Sequence, residues 1–205
     1  MSSLEIFNDI EQGSERWFQV RAGLPTASEF ATILMQGRTK GSPSATRLKY
    51  LYTLAGEIIT GKVEDSYTNF HMERGKIMEA EARDCYAMLK GVEPQRVGFV
   101  RNGRMGCSPD SLIDANGLLE IKTALPHIQL DRLLANVLPS EHVAQVQGQI
   151  WTAEREWCDF TSYWPGMKPL IVRVYRDDAY VARLKVGVDE FNDELDALVE
   201  KYRQI

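Results

Sequence analysis

The chain has 205 residues, 44% hydrophobic and 26% charged, the proportions of an ordinary globular chain, which predicts a single domain over residues 1–205 and excludes a disordered or fibrous one. A net charge of -5 argues against a protein that coats nucleic acid through a broadly basic surface, although no acidic residue falls between Glu29 and Glu57 while Arg38, Lys40, Arg47 and Lys49 do. Three scattered cysteines (Cys85, Cys107, Cys158) point to reduced thiols in a cytoplasmic protein and away from a disulfide scaffold or a zinc or iron–sulfur site. No run approaches the ~18 apolar residues of a membrane span, and the N-terminus has no basic-then-apolar secretory pattern, so no membrane partner is expected.

Gln36–Pro43 has the Gly, Ser and Pro content of an exposed loop. Leu48, Leu51, Tyr52, Ala55, Ile58 and Ile59 then recur at helical spacing, which predicts a helix over Ser44–Thr60 stopped by Gly61. A second helix is predicted from about Met72 to Lys90, carrying Glu79, with Gly91 just beyond it. Strand-like runs follow around Val97–Val100, over Met105–Asp114 and over Leu118–Thr123. Pro126–Arg155 reads as helical, interrupted by Pro139. Trp157–Trp164 and Leu170–Tyr175 read as strands, and Val188, Phe191, Leu195, Leu198 and Tyr202 mark a closing amphipathic helix. The economical arrangement is α/β, a central mixed β-sheet flanked by helices.

The sharpest chemical signal is Ser108-Pro109-Asp110 followed by Glu120-Ile121-Lys122. Residues two apart on a strand share a face, so Glu120 and Lys122 project together from a run that otherwise reads as buried. A second carboxylate, Asp110, would complete a hard-oxygen set of the kind Mg²⁺ takes, and a lysine beside it can orient or deprotonate a water. On spacing alone, a salt-bridged strand pair fits these residues as well. The hairpin loop separates two arrangements. A two-residue loop at Asn116-Gly117 turns Asp110 away from Glu120. A three-residue loop, Ala115–Gly117, pairs Asp110 with Lys122, puts all three groups on one face and predicts positive φ at Gly117.

The wider motif set resembles the lambda-type (YqaJ-like) viral exonucleases of the PD-(D/E)xK nuclease superfamily. It comprises Trp17, Arg21-Ala-Gly-Leu-Pro-Thr-Ala-Ser28, Arg74-Gly-Lys-Ile-Met-Glu79, Cys107-Ser-Pro-Asp110, Leu119-Glu-Ile-Lys122 and Ala144-Gln-Val-Gln147, in the family's order across most of the chain. The resemblance implies a restriction-endonuclease-like core and a Mg²⁺-dependent exonuclease, with Mn²⁺ as a substitute ion. It implies that Asp110, Glu120 and the Ile121 carbonyl are metal ligands and that Lys122 activates the attacking water. Glu79 would reach the metal zone, where its alternative is an i,i+4 pair with Arg83. Gln145 would bond near the scissile phosphate, or belong with Gln149 to one polar helix face. Arg21, Ser28 and Ser108 would bind a 5′-terminal phosphate; without the resemblance Ser28 reads as the cap of a helix starting at Thr26–Glu29. Arg38 and Lys40 fit a contact with the DNA backbone and a solvated charge run equally, and Met72 would wedge the strands apart. The substrate implied is the double-stranded DNA end, cut from its 5′ terminus to mononucleotides by a homotrimeric ring working with a single-strand annealing protein in phage-type recombination, in the cytoplasm of a bacterial host. Two other readings remain at this point, a PD-(D/E)xK endonuclease and a non-catalytic DNA-end-binding protein. The three histidines show no metal-ligand spacing, and Trp151, Trp157 and Trp164 read as core.

Overall fold

Side-chain caps start α-helices at Ser14, Ser44 and Asp177 in the computed structural model, which describes residues 3–37, 39, 42–63 and 70–205, with residues 70–76 described through their backbone alone. In chain order come β1 (Leu4–Phe7), α1 (Glu15–Arg21), a 3-10 turn (Ala27–Glu29), α2 (Phe30–Ile33), α3 (Ala45–Thr60) and α4 (Phe70–Lys90). β2 (Phe99–Asn102), β3 (Met105–Cys107), β4 (Ser111–Ile113) and β5 (Gly117–Thr123) follow. The chain then forms α5 (Pro126–Ala135), a 3-10 turn (Ser140–His142), α6 (Val143–Thr152), β6 (Trp157–Tyr163), β7 (Leu170–Tyr175) and α7 (Asp178–Arg203). Ser44 accepts the Arg47 N–H and Gly61 ends α3 in the left-handed region at φ 67°, as the sequence predicts. α7 begins about ten residues before its expected stripe, because Asp177 accepts the Tyr180 N–H and starts it there, and Val181 and Leu184 extend the buried face.

The strand expected over Met105–Asp114 is two strands. Pro109 lacks a ladder donor, and the chain leaves one sheet at Cys107 and enters another at Ser111. The first sheet is antiparallel, in the order β1-β2-β3; its edge strand β1 had no sequence forecast. The second, in the order β4-β5-β6-β7, is the expected mixed sheet, with β5 and β6 parallel and the other pairs antiparallel. A parallel pair needs a long crossover, and α5 and α6 supply it.

Helices cover both faces of this mixed sheet. Ile113, Leu119, Ile121 and Tyr163 pack with Ala82 and Tyr86 of α4. On the other side Leu112, Leu118, Cys158 and Phe160 meet Val146 and Ile150 of α6 and the stripes of α3 and α7. Fully enclosed side chains such as Leu118, Phe160 and Phe191 each stabilise the fold by roughly 1.5–3 kcal/mol. Glu120 is a buried charged residue on this second face, between Leu118 and Lys122. Among the described residues no helix is long and apolar enough to cross a membrane.

Candidate active site

The hairpin register brings the charged residues together, by a loop different from the expected one. Ile113 lies opposite Gly117 and Ser111 opposite Leu119, so the connection is Asp114–Asn116. The left-handed residue is Asp114, at φ 47°, and Gly117 has no positive φ. Gly117 is needed for space, since a Cβ there would lie 2.2 Å from the Trp157 ring. Relative to expectation the register moves by two residues, placing Asp110 across from Glu120 instead of Lys122. A two-residue shift preserves the face, so the three groups still share one side.

Asp110 sits just outside the ladder. Its N–H donates to the Leu119 carbonyl at 3.1 Å, and its Oδ2 accepts the Ile121 N–H at 2.5 Å. The carboxylate thus takes a place that a strand carbonyl would fill. A strand residue directs its N–H and C=O to the same edge, so the Ile121 carbonyl is turned toward Asp110 as well. Glu120, buried, is held at both oxygens: Oε1 accepts from Gln145 Nε2 at 2.7 Å and Lys122 Nζ at 2.6 Å, and Oε2 from Gln149 Nε2 at 2.7 Å. Gln145 and Gln149 lie one turn apart on α6, so the polar face expected there is a clamp on Glu120. The alternative partner of Glu79 is also real. Arg83 bonds Glu79 at 2.5 Å and reaches Ser111 Oγ at 3.1 Å, while Glu79 still borders the same cavity.

These groups perturb one another. Burial pushes the Asp110 carboxyl well above its ordinary range, and the negative charges of Glu120 and Glu79 push it the same way. Burial draws the Lys122 ammonium down, but the charge and hydrogen bond of Glu120, with Asp110 and Glu79, outweigh it and hold the group above its usual value. The donor set fits a hard divalent cation: two carboxylates and a backbone carbonyl offer oxygen, and a cation would relieve the repulsion acting on Asp110. A carboxylate has about four acceptor sites, so the three bonds to Glu120 leave room for one more. Among the described residues no group of three or more His, Cys, Asp or Glu is placed to hold a metal ion by side chains alone.

Arg21, Ser28 and Ser108 border this same cavity of about 270 Å³ together with Glu79, Asp110, Glu120, Ile121, Lys122 and Gln145. Trp17, which carried no expected role, organises the Arg21 side: its Nε1 donates to Ser108 Oγ and to the Gly98 carbonyl, both at 3.0 Å, and its ring lies 4.1 Å beneath the Arg21 guanidinium. Burial lowers the Arg21 pKa, partly offset by Tyr50, Glu57 and Glu29. Ser28 is not a helix cap. Thr26 holds the cap position without a side-chain cap bond, Ser28 Oγ lies 3.2 Å from Thr26 Oγ1, and the turn that follows has only three residues, too short for a helix-terminus field to aid phosphate binding. A larger cavity of about 1330 Å³ shares Trp17, Arg21, Glu79 and Asp110 and extends to Lys49 and Arg96. Arg38 and Lys40 lie outside the described residues, as does the side chain of Met72. His142 plays an ordinary polar part, its Nε2 accepting from Arg132 at 3.0 Å and its ring stacked on Phe160.

Comparison with known proteins adds to this geometry. The family model described as "YqaJ-like viral recombinase domain" matches residues 16–156. An alkaline exonuclease from Laribacter hongkongensis, LHK-Exo, is 30% identical, with a TM-score of 0.83 over 93% of this chain and 97% of that one. The structure of LHK-Exo in complex with dAMP gives the same identity and coverage with a TM-score of 0.84. A phage-related exonuclease from Haemophilus somnus 129PT, 13% identical, shares the fold at a TM-score of 0.64 over 87% of this chain and 96% of its own. No curated protein matches by sequence.

Proposed function

Because the chain belongs to the YqaJ-like viral recombinase domain family and is a DNA exonuclease with a restriction-endonuclease-like α/β fold, we propose that it degrades one strand of duplex DNA from the 5′ end with Mg²⁺, releasing mononucleotides and leaving a 3′ overhang. The observation that carries this reading is the convergence of Asp110, Glu120 and Lys122 with Arg21, Ser28 and Ser108 on one cavity. Cation-binding oxygens and phosphate-binding donors in a single small cavity suit a terminal nucleotide. LHK-Exo is described in complex with dAMP, a deoxynucleoside monophosphate of the class that stepwise hydrolysis releases.

In this reading Asp110, Glu120 and the Ile121 carbonyl hold Mg²⁺, for which Mn²⁺ substitutes. When bound, such ions supply Lewis-acid stabilisation to the attacking and leaving oxygens of an in-line displacement. Lys122 Nζ lies 2.6 Å from Glu120 Oε1, beside the oxygens that would hold the cation. From there it orients and activates the attacking water and offsets charge on the phosphoryl oxygens. Gln145 keeps Glu120 in place and borders the reacting phosphate. The Arg21 fork, with the Ser28 and Ser108 hydroxyls, holds the 5′-phosphate and so sets where the strand is cut. Trp17 accepts nothing from Ser108, which leaves that hydroxyl proton free to donate. Glu79 fixes Arg83 beneath Asp110 and borders the cation zone. The homotrimeric ring and a single-strand annealing partner complete the proposal, and both rest on the family.

Linear duplex labelled at one 5′ or one 3′ end, incubated with Mg²⁺ or EDTA, tests it. Early release of 5′-labelled mononucleotide that requires Mg²⁺ is the expected result. Release from the 3′ end first would reverse the polarity. Internal fragments would indicate an endonuclease, and DNA that is bound but intact would indicate end binding alone.

A further inference from the structure

Glu120 is gripped at both oxygens, and the two grips differ. Oε1 is shared between Lys122 and Gln145, whereas Oε2 takes its hydrogen bond from the buried Gln149. The Gln149 amide must turn Nε2 toward the carboxylate, because a carboxylate accepts and cannot donate. Its Oε1 is then left over, and this oxygen is buried with no hydrogen-bond partner among the described residues. A buried orphan acceptor is costly, and native proteins keep one where a water or ion supplies the missing contact. Gln149 also borders the cavity of Asp110, Glu120 and Lys122, where such a water has polar company. Packing alone would favour an apolar residue on this face of α6, next to Ile150 and Val146.

We propose that Gln149 is a positioning residue for the cation site, its Nε2 fixing Glu120 Oε2 and its Oε1 accepting from a water bound to the divalent ion. The inference rests on the reading that Asp110 and Glu120 hold that ion. Mg²⁺ gives up its waters reluctantly, so acceptors beyond the direct ligands contribute to its affinity. Such partners, when removed, typically cost about 10–100-fold in metal affinity. Gln149 thus acts on cation affinity, and raising the cation concentration recovers the rate its loss removes.

The test uses the full chain without DNA, titrated with Mn²⁺ while free Mn²⁺ is counted by electron paramagnetic resonance, with Mg²⁺ as competitor. Gln149→Met keeps the side-chain length and removes both polar ends; Gln149→Asn draws the amide back by one methylene and serves if the Met variant loses its cooperative melt. The expected result is a Kd raised at least about tenfold in either variant, with hydrolysis recovering as cation is added. A Kd within about twofold of wild type, or a rate that extra cation does not recover while Kd is unchanged, overturns the proposal. Glu120→Gln separates the levels. If wild type binds no Mn²⁺ that Glu120→Gln abolishes, the cation reading itself falls and this inference with it. If wild type binds and the Gln149 variants bind equally well, only this inference falls.

Discussion

Two buried carboxylates stand on neighbouring strands, Asp159 on β6 and Glu120 on β5, and they are satisfied in opposite ways. Asp159 faces α4 and takes a two-pronged bond from Arg173 of β7, 2.8 Å at each oxygen, with the Tyr86 hydroxyl at 2.7 Å. The Arg173 guanidinium also lies 3.6 Å over the Trp157 ring. A dedicated cation neutralises this carboxylate, and the bond to Asp159 raises the Arg173 pKa further. Glu120, on the other face, has two neutral amides and a lysine that also answers to Asp110 and Glu79. It shares its cavity with Asp110, Glu79, Lys122 and Arg21. The first arrangement is closed and structural; the second has no cation dedicated to it alone and is open to a cavity. Burial alone does not separate the two roles. The partners do.

Glu120→Gln should give the largest effect, lowering hydrolysis by ~10³-fold, or ~4 kcal/mol of transition-state stabilisation, with thermal unfolding little changed because the lost charge was opposed by Asp110. Circular dichroism melts beside steady-state rates would check it, and a collapse of stability would make Glu120 resemble Asp159. Arg173→Met should do the reverse. It strands the Asp159 charge and costs about 2–3 kcal/mol, less than for a wholly enclosed pair because Arg173 is 40% exposed, while the rate per folded molecule holds in an assay run below the lowered midpoint. A third effect is smaller: Mg²⁺ at ten times its Kd adds about 1.4 kcal/mol to wild-type stability and nothing to Glu120→Gln. Equal shifts in both would place the ion elsewhere.

The smallest effect concerns His142. Burial, with Lys122 and Arg132 beside it, lowers its pKa from 6.5 to about 4. Its contribution to stability is therefore fully present above pH 6.5 and is lost as pH falls through about 4. Urea unfolding across that window should be less pH-dependent in His142→Gln than in wild type, and an unchanged slope would show that the histidine titrates alike folded and unfolded.

Much of this site is legible from local pattern. Period-two alternation puts Glu120 and Lys122 on one face, as the 2.6 Å bond between them reflects, and the hairpin argument carries Asp110 to that face, where its Oδ2 accepts the Ile121 N–H. The loop lies one residue earlier than the turn signal of Gly117 suggests. Its absence of a side chain in fact serves Trp157, forty residues on, and no local signal reports that contact. The split at Pro109 was signalled by the proline itself, which a ladder tolerates poorly. Asp177 likewise advertised the start of α7 as a cap. Glu79 and Gln145 were reachable through family motifs only, since their distance to the strand is a matter of tertiary packing. Gln149 showed as a polar position one turn from Gln145, and spacing gave no hint that both amides hold one carboxylate.

The most direct test of the hydrolytic centre is single-turnover release of the 5′ nucleotide from a duplex end at saturating Mg²⁺, comparing wild type with Lys122→Ala. The expected result is a rate lowered by ~10³-fold with cation binding retained, since Lys122 touches Glu120 but offers the ion no oxygen. A rate within about threefold of wild type would contradict it, leaving Lys122 a salt-bridge partner and the chemistry elsewhere.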